Sequence, residues 1–512
     1  MYRDRIYNFV SGALKLVGII LFLYLSLCAF TYTEYMDPLR GGAEFPIVIE
    51  DSKIRNAAVI LFAFFLIAML KFAEDKLQKK ALRIIEIICV STMAAWLIVT
   101  GILWVTAYER ELGADPLYMV YTAEDMLKND YSMFEKGNYM DMYPMQLGFS
   151  VFLSLLMRLF GTENYIAFEA VQVCMVAGSA VFLYGILKLL GKGFADKIFF
   201  CILMSICFPF LFYSSWLYGE VGGLFFSVAG LFLSLLGYKK NNMIIMCSGI
   251  ILFTIAVLLR MNSWVIIIAY TGIMFFECLK NKRYGVLLPV VLTIILPILS
   301  TSFSQKYFED KGGYEHSEGL SVYSWISLGL QENNGRYGWY YPYTTNVYEE
   351  NDYDTEMAME VYKHDIGERL SYFRDNPSYS YNFFRGKLRS QWNAPLYQSM
   401  YFNYGYNMEN IKEGTMAYRL ATDSFPFMLS LADRLQMVVY LGGLLYCIFG
   451  IKRKYELWKY IPVLTVFGGF LLSIIWEAKT RYILPYYVIL FPVAAAGFYE
   501  ALLWIEKKWW SK

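Results

Sequence analysis

Blocks of apolar residues alternate with short charged connections along almost the whole chain. Runs at about 10–31, 57–72, 84–107, 164–190, 197–213, 219–237, 243–259, 262–279, 284–301, 433–451, 457–476 and 482–504 match the roughly 17–25 residues a helix needs to cross a bilayer. The pattern predicts about twelve transmembrane helices. The first run follows MYRDR and lacks a small-residue cleavage site, so it reads as a retained signal anchor.

Two polar stretches break the pattern. Residues 109–161 begin acid-rich and end in an apolar run at 144–160 that starts with Pro144, contains Arg158 and is followed by Gly161. That run predicts a helix lying along the membrane interface rather than a span. Residues 302–432 are rich in tyrosine, tryptophan, acids and proline, a composition that predicts a folded insertion of mixed structure rather than a disordered linker. The resulting division is 1–108, N-terminal transmembrane helices; 109–163, a first extracytoplasmic loop with interfacial helices; 164–301, a central transmembrane bundle; 302–432, an extracytoplasmic domain; and 433–512, C-terminal transmembrane helices. No internal repeat or low-complexity tract is visible.

Charge sets the expected orientation. Arg3 and Arg5, Lys76 to Arg83, Lys188, Lys192 and Lys197, Lys239 and Lys240, Lys280 to Arg283, Lys452 to Lys459, and Lys507 to Lys512 fall at the N-terminus and in every second connection. By the positive-inside rule these are cytoplasmic, which places both termini inside when 144–160 does not cross. Three polar features then face outward together: 109–161, the connection SSWLYGE at 214–220, and 302–432.

Composition fixes the solvent. Hydrophobic residues make up 57%, aromatics 19% and charged residues 17%, and mean hydropathy is +0.40. A soluble domain with a polar surface is not so apolar, and the chain is read as an all-α polytopic membrane protein. A net charge of +1 gives no reason to expect a nucleic-acid partner. The eight cysteines lie mostly in apolar runs without a CxxC pair, and there are only two histidines, His316 and His364. Neither a disulfide framework, a zinc site nor a histidine triad is indicated.

Ionisable residues at the outer ends of apolar runs are the candidates for chemistry. Asp115 opens the first loop. Glu220 stands among Gly219, Gly222 and Gly223, Arg260 interrupts AVLLRMNSW, and Glu477 and Arg481 lie one helical turn apart in EAKTRYILPYY. Each has a plainer reading. Asp115 is otherwise a solvated loop acid, Glu220 a helix N-terminal acid, Arg260 a snorkelling side chain, and Glu477 with Arg481 an i,i+4 pair. Glu124, Asp125 and Asp141 share the first loop, where one of them joining Asp115 at a divalent cation is the alternative to a metal-free site. The tyrosines of 302–432 suit stacking on sugar rings, or simply packing and interfacial anchoring.

Asp115, the run Tyr143, Pro144, Gln146, Gly148 leading to RLFG at 158–161, Glu220, and the Glu477/Arg481 motif before a proline-containing helix together resemble the GT-C membrane glycosyltransferases. The likeness is to the branch of protein O-mannosyltransferases and bacterial lipid A aminoarabinose transferases, and it covers the membrane portion more than 302–432. The resemblance implies a glycosyltransferase in a bacterial cytoplasmic membrane, moving a sugar from a polyprenyl-phosphate donor to an envelope glycan, lipid or protein acceptor on the outer face. It implies that Asp115 is the base, that Arg481 and Arg260 face the phosphate, and that Glu220, Tyr143, Gln146 and Glu477 line the substrate site. No cofactor is expected. A transporter or lipid-linked-sugar flippase, or a non-catalytic factor in envelope-glycan assembly, are the competing readings. Charges at outer helix ends and the lack of two related halves count against transport.

Overall fold

The computed structural model describes residues 2–40, 44–107, 111–191, 193–405, 411–450 and 456–509. Glu109, Arg110, Lys192, Lys452, Arg453, Lys454 and Lys512, which figure in the sequence reading, lie outside these residues. Of the described residues, 79% are helical. Its main helices are α1 (Tyr2–Thr31), α2 (Lys53–Lys76), α3 (Lys79–Val105), α4 (Asp115–Lys128), α5 (Leu147–Phe160), α6 (Tyr165–Leu190), α7 (Ala195–Ser205), α8 (Gly219–Lys240), α9 (Met243–Leu259), α10 (Ser263–Asn281), α11 (Leu287–Gly312), α12 (Thr355–Asp375), α13 (Pro377–Trp392), α14 (Phe425–Leu445), α15 (Ile461–Ile475) and α16 (Phe491–Trp509).

Among the described residues nine helices are long and apolar enough to cross a membrane, and eleven when two bent pairs each count as one span. The bends are 47° between α7 and Phe208–Ser215, and 51° between Thr480–Val488 and α16. Pro209 and Pro492, each just after its break, explain them, because proline removes a backbone donor and crowds the preceding turn. The twelfth predicted span is α9, 17 residues long. It runs antiparallel to α8 over its whole length: Gly237, near the end of α8, abuts the backbone of Met246, while Gly219, at its start, abuts Leu259. A helix of that length rises about 25 Å, a little less than the hydrocarbon layer.

Glycine decides how close these two helices come. A Cβ on Gly249 would lie 2.7 Å from the Gly230 carbonyl oxygen, and one on Gly230 would lie 2.9 Å from that of Gly249. Small residues of this kind let backbones touch where apolar side chains gain nothing from leaving lipid. By contrast α2 and α3 expose Leu61, Phe62, Phe65, Phe72, Ile84 and Ile87, a surface suited to acyl chains.

The helix ends fall on two faces. On one, Glu74 of α2 accepts the amides of Phe194 and Ala195, at 3.1 and 2.9 Å, and the hydroxyl of Tyr499 of α16 at 2.9 Å. Glu277 of α10 accepts from Tyr7 of α1 and from the Trp458 amide on the same face. The described basic connections lie at these ends. The other face carries a hairpin of β1 (Tyr32–Tyr35) and β2 (Ile47–Glu50), α4, α5, and the region between α11 and α14.

That last region differs in detail from the sequence reading. Among the described residues it is mostly helical, with one two-residue strand pair. Its predicted start at 302 falls inside α11, which continues unbroken to Gly312. Its far part is not separate from the bundle, because Trp392, Tyr397, Tyr401 and Phe402 are buried in the same core as the membrane helices. The helix at 144–160 forms as a three-residue turn followed by α5, and its Gly148 packs on the Leu258 carbonyl at the end of α9.

Gly249→Val places two methyl groups where α8 has no room. Overpacking of this kind typically costs about 1–3 kcal/mol. The variant is expected to melt several degrees below wild type in detergent, as followed by fluorescence-detected size exclusion after heating, whereas Gly272→Ala, at a position with open space around it, leaves the midpoint unchanged.

Candidate functional site

A cavity of about 1000 Å³ opens on the hairpin face. Asp115, Tyr143, Gln146, Arg260, Glu477 and Arg481 line it, although they come from four separated parts of the chain. Glu220 lies directly behind, paired to the two arginines. The structure thus gathers the seven sequence candidates.

Asp115 is the first residue of α4 and is followed by Pro116, whose fixed φ suits a first helical turn. An acid there also meets the positive end of the helix dipole. The preceding Ala114 has φ 51°, ψ −142°, in the left-handed half of the map that a residue with a Cβ seldom enters. This turn aims the carboxylate into the cavity. Its Oδ1 accepts from the Tyr139 hydroxyl at 3.2 Å, and its Oδ2 from Arg481 Nη2 at 3.2 Å. The Asp115 side chain stays 33% exposed, so lone pairs remain for a ligand.

Glu220 sits in the first turn of α8, Arg260 just beyond the last turn of α9, and they pair at 2.9 Å. The GEVGG sequence makes that approach feasible. A Cβ on Gly219 would lie 2.0 Å from the Leu259 carbonyl, and one on Gly223 would lie 2.5 Å from the Arg260 Cβ. Arg481 Nε stands 3.9 Å from the same Glu220 carboxylate. Asp115, Arg481, Glu220 and Arg260 therefore form one row of alternating charge. Tyr218 stacks under both guanidinium groups, with ring centres at 4.5 Å from Arg260 and 5.1 Å from Arg481, and Gln146 donates to its hydroxyl. The Nε–H groups of Arg260 and Arg481 are buried without a hydrogen-bond partner among the described residues.

Glu477 and Arg481 do not form the i,i+4 pair considered from sequence, because residues 476–479 are not helical. Instead Glu477 accepts from the Tyr482 hydroxyl at 2.9 Å and lies 3.7 Å from Lys479. Burial raises its carboxyl above the usual carboxylate range, and Lys479 works against that shift. The turn carrying Arg481 is held by Gln398, whose Oε1 accepts from the amides of Thr480 and Arg481 and from the Thr480 hydroxyl. Gln398 and Tyr397 both have positive φ, 62° and 50°. Gln398, Tyr218, Tyr482, Lys479 and Glu44 escaped the sequence reading. Lys479 and Tyr482 had a signal in the EAKTRY motif and Tyr218 in the connection SSWLYGE, whereas Gln398 and Glu44 had none.

Glu124, Asp125 and Asp141 do not line the cavity. Asp141 is buried and accepts the Gly137 amide at 2.8 Å, while Asp125 pairs with Lys128 at 3.5 Å. Among the described residues, the one group of three metal-ligating side chains close enough to share an ion is His364, Asp365 and Glu368 on α12, away from the cavity and largely exposed. A second cavity of about 420 Å³ shares Trp216 and Phe402 with the first, and these two rings stack at 4.6 Å to form the wall between them. Comparison with family models, curated protein sequences and solved structures gives no match for this chain.

Removing one member of a buried ion pair leaves its partner uncompensated, typically at a cost of about 3–5 kcal/mol. Arg260→Met is therefore expected to lower the melting temperature, and adding Glu220→Gln to it to recover most of the loss. A thermal double-mutant cycle reads the coupling; additive losses would mean the two side chains do not stabilise one another.

Proposed function

We propose that the chain is an integral-membrane glycosyltransferase of the GT-C type, which moves a sugar from a polyprenyl-phosphate donor to an acceptor of the cell envelope on the outer face of a bacterial cytoplasmic membrane. The observation that carries this reading is the row Asp115, Arg481, Glu220, Arg260 at the edge of a large aromatic-lined cavity at one end of a helical bundle. The basic connections at the opposite end support an outer position for the cavity.

In the proposed reaction the acceptor hydroxyl oxygen bonds to the anomeric carbon as the bond from that carbon to the phosphate oxygen breaks. The electron pair of the broken bond leaves with polyprenyl phosphate, and the hydroxyl proton passes to Asp115. A base placed in this way contributes about 10²–10⁴-fold. The charge gathering on the phosphate meets the two arginines, whose guanidinium groups line the cavity. Tyr218 beneath both guanidinium groups limits their movement, so little reorganisation accompanies bond cleavage. A single displacement inverts the anomeric carbon, and the site needs no divalent ion, since guanidinium groups already stand beside both acids.

The test is transfer from a panel of labelled polyprenyl-phosphate sugars to envelope acceptors in membranes, by wild type and by Asp115→Asn. Asparagine keeps the size and the contacts with Tyr139 and Arg481 within reach but is no base. Transfer is expected to fall by about 10²–10⁴-fold in a variant that still purifies as a folded protein, and wild-type product is expected to be inverted relative to donor. Equal transfer by both proteins would move the base elsewhere, and a retained configuration would refute single displacement.

A further inference from the structure

The first hairpin connects two membrane helices and has no part in the row of charges, yet it delivers one carboxylate to the cavity. β1 and β2 pair from Tyr32 with Glu50 to Tyr35 with Ile47. The hairpin is clamped to the end of α13: the Glu34 amide donates to the Asn393 carbonyl at 3.0 Å, Asn393 donates to the Tyr32 carbonyl, and Arg389 pairs with Glu34. Burial raises the Glu34 carboxyl to about 7, against the opposing pull of Arg389. A short polar connection is thus fixed at its base, and Glu44, beyond β1, comes to line the cavity.

Glu44 is 93% buried, being 7% exposed. Its Oε1 accepts from Lys479 at 2.5 Å, and Arg336 donates to its backbone carbonyl at 3.5 Å. Its Oε2 is buried and has no partner among the described residues. Lys479 stands between Glu44 and Glu477 and lies over the Tyr340 ring at 4.8 Å. Two carboxylates share one ammonium, so this part of the wall is rich in acceptors. The arginine end of the same cavity is rich in donors. An acceptor lone pair held buried without a donor costs free energy unless a ligand supplies one.

We infer that Glu44 binds the transferred sugar, its Oε2 accepting a hydrogen bond from a hydroxyl or ammonium substituent of the glycosyl group while Arg260 and Arg481 hold the phosphate. The inference rests on the proposed transferase reading. Lys479 and Glu477 are positioning residues for Glu44, and the Tyr340 ring beside them offers an apolar face to a sugar ring. The cavity then distinguishes a loaded carrier lipid from a spent one. Loaded carrier is held at both ends, whereas bare polyprenyl phosphate is held by the arginines alone.

Binding tests this without requiring turnover. Affinities of the purified full chain are measured for a short-chain polyprenyl phosphate and for its mannosyl, glucosyl and amino-sugar esters. Wild type is expected to prefer at least one ester over the bare lipid by about tenfold or more, the value of one charge-assisted hydrogen bond. The double variant Glu44→Ala/Lys479→Met removes the buried pair together and leaves Glu477 with the hydrogen bond from Tyr482. It is expected to lose the preference and keep its affinity for bare lipid, whereas Arg260→Met weakens both lipids and keeps the preference. Preference retained in the double variant would show that Glu44 serves only to neutralise Lys479, and would overturn the inference. Glu44→Gln gives the same comparison should the double variant not fold, with a smaller but measurable loss expected. Equal wild-type affinity for all the lipids overturns the sugar contact alone. No wild-type binding of any of them overturns the carrier-lipid reading itself.

Discussion

Four charges held against one another, three of them buried and Asp115 partly exposed, constrain the rest of this structure. An ion taken out of water costs several kcal/mol, and the cost is offset only when an opposite charge is held close. Asp115, Arg481, Glu220 and Arg260 meet that condition by alternating in sign over one continuous row. Each belongs to a different segment, so satisfying the row fixes four segments relative to one another. The glycines at 219 and 223 follow from it, since any side chain there would push the end of α9, and Arg260 with it, away from Glu220.

The placement at helix ends has its own reason. A helix start leaves amide hydrogens unpaired and a helix end leaves carbonyls unpaired, so acids are favoured at starts and bases at ends. Asp115 and Glu220 are both in first turns, and Arg260 follows a last turn. Charges thus sit where the backbone already supports them, which a mid-helix position in the bilayer would not offer. Arg481 is the exception, lying in a short turn below a bend. It therefore needs outside support, and Gln398 supplies it by accepting from the Thr480 and Arg481 amides of that turn.

This explains what could be read from the chain and what could not. An ionisable residue is conspicuous when it interrupts or borders an apolar run, and Asp115, Glu220, Arg260 and Arg481 all do. The apolar blocks likewise mark nearly every long helix, with α9 marginal because 17 residues are barely a span. Gln398 and Glu44 give no such contrast, because each is a polar residue in a polar stretch. Only the fold reveals that the one reaches Thr480 and the other Lys479. The insertion boundary at 302 failed for a related reason: α11 leaves the apolar run but stays helical, and polar residues such as Lys306 and Glu309 look like a loop when they are the end of the same helix.

The same contrast limits the reading of aromatic residues. Tyrosine is common in the stretch from Trp392 to Tyr404, and composition there suggested a domain standing apart from the membrane helices. In the fold, Tyr397 and Tyr440 meet in the interior, and the Tyr440 hydroxyl donates to the Trp392 carbonyl. The Tyr440 hydroxyl thereby satisfies a carbonyl at the end of α13, which phenylalanine could not do, and the Tyr397 hydroxyl is held by Tyr440 and Gln436. The segment is therefore part of the bundle, and through Gln398 it is also what holds Arg481 in the row. A tyrosine-rich surface for sugars and a tyrosine-rich brace for the site look alike in sequence. They differ in where the hydroxyl finds its partner, and in this stretch the partners are inside the protein.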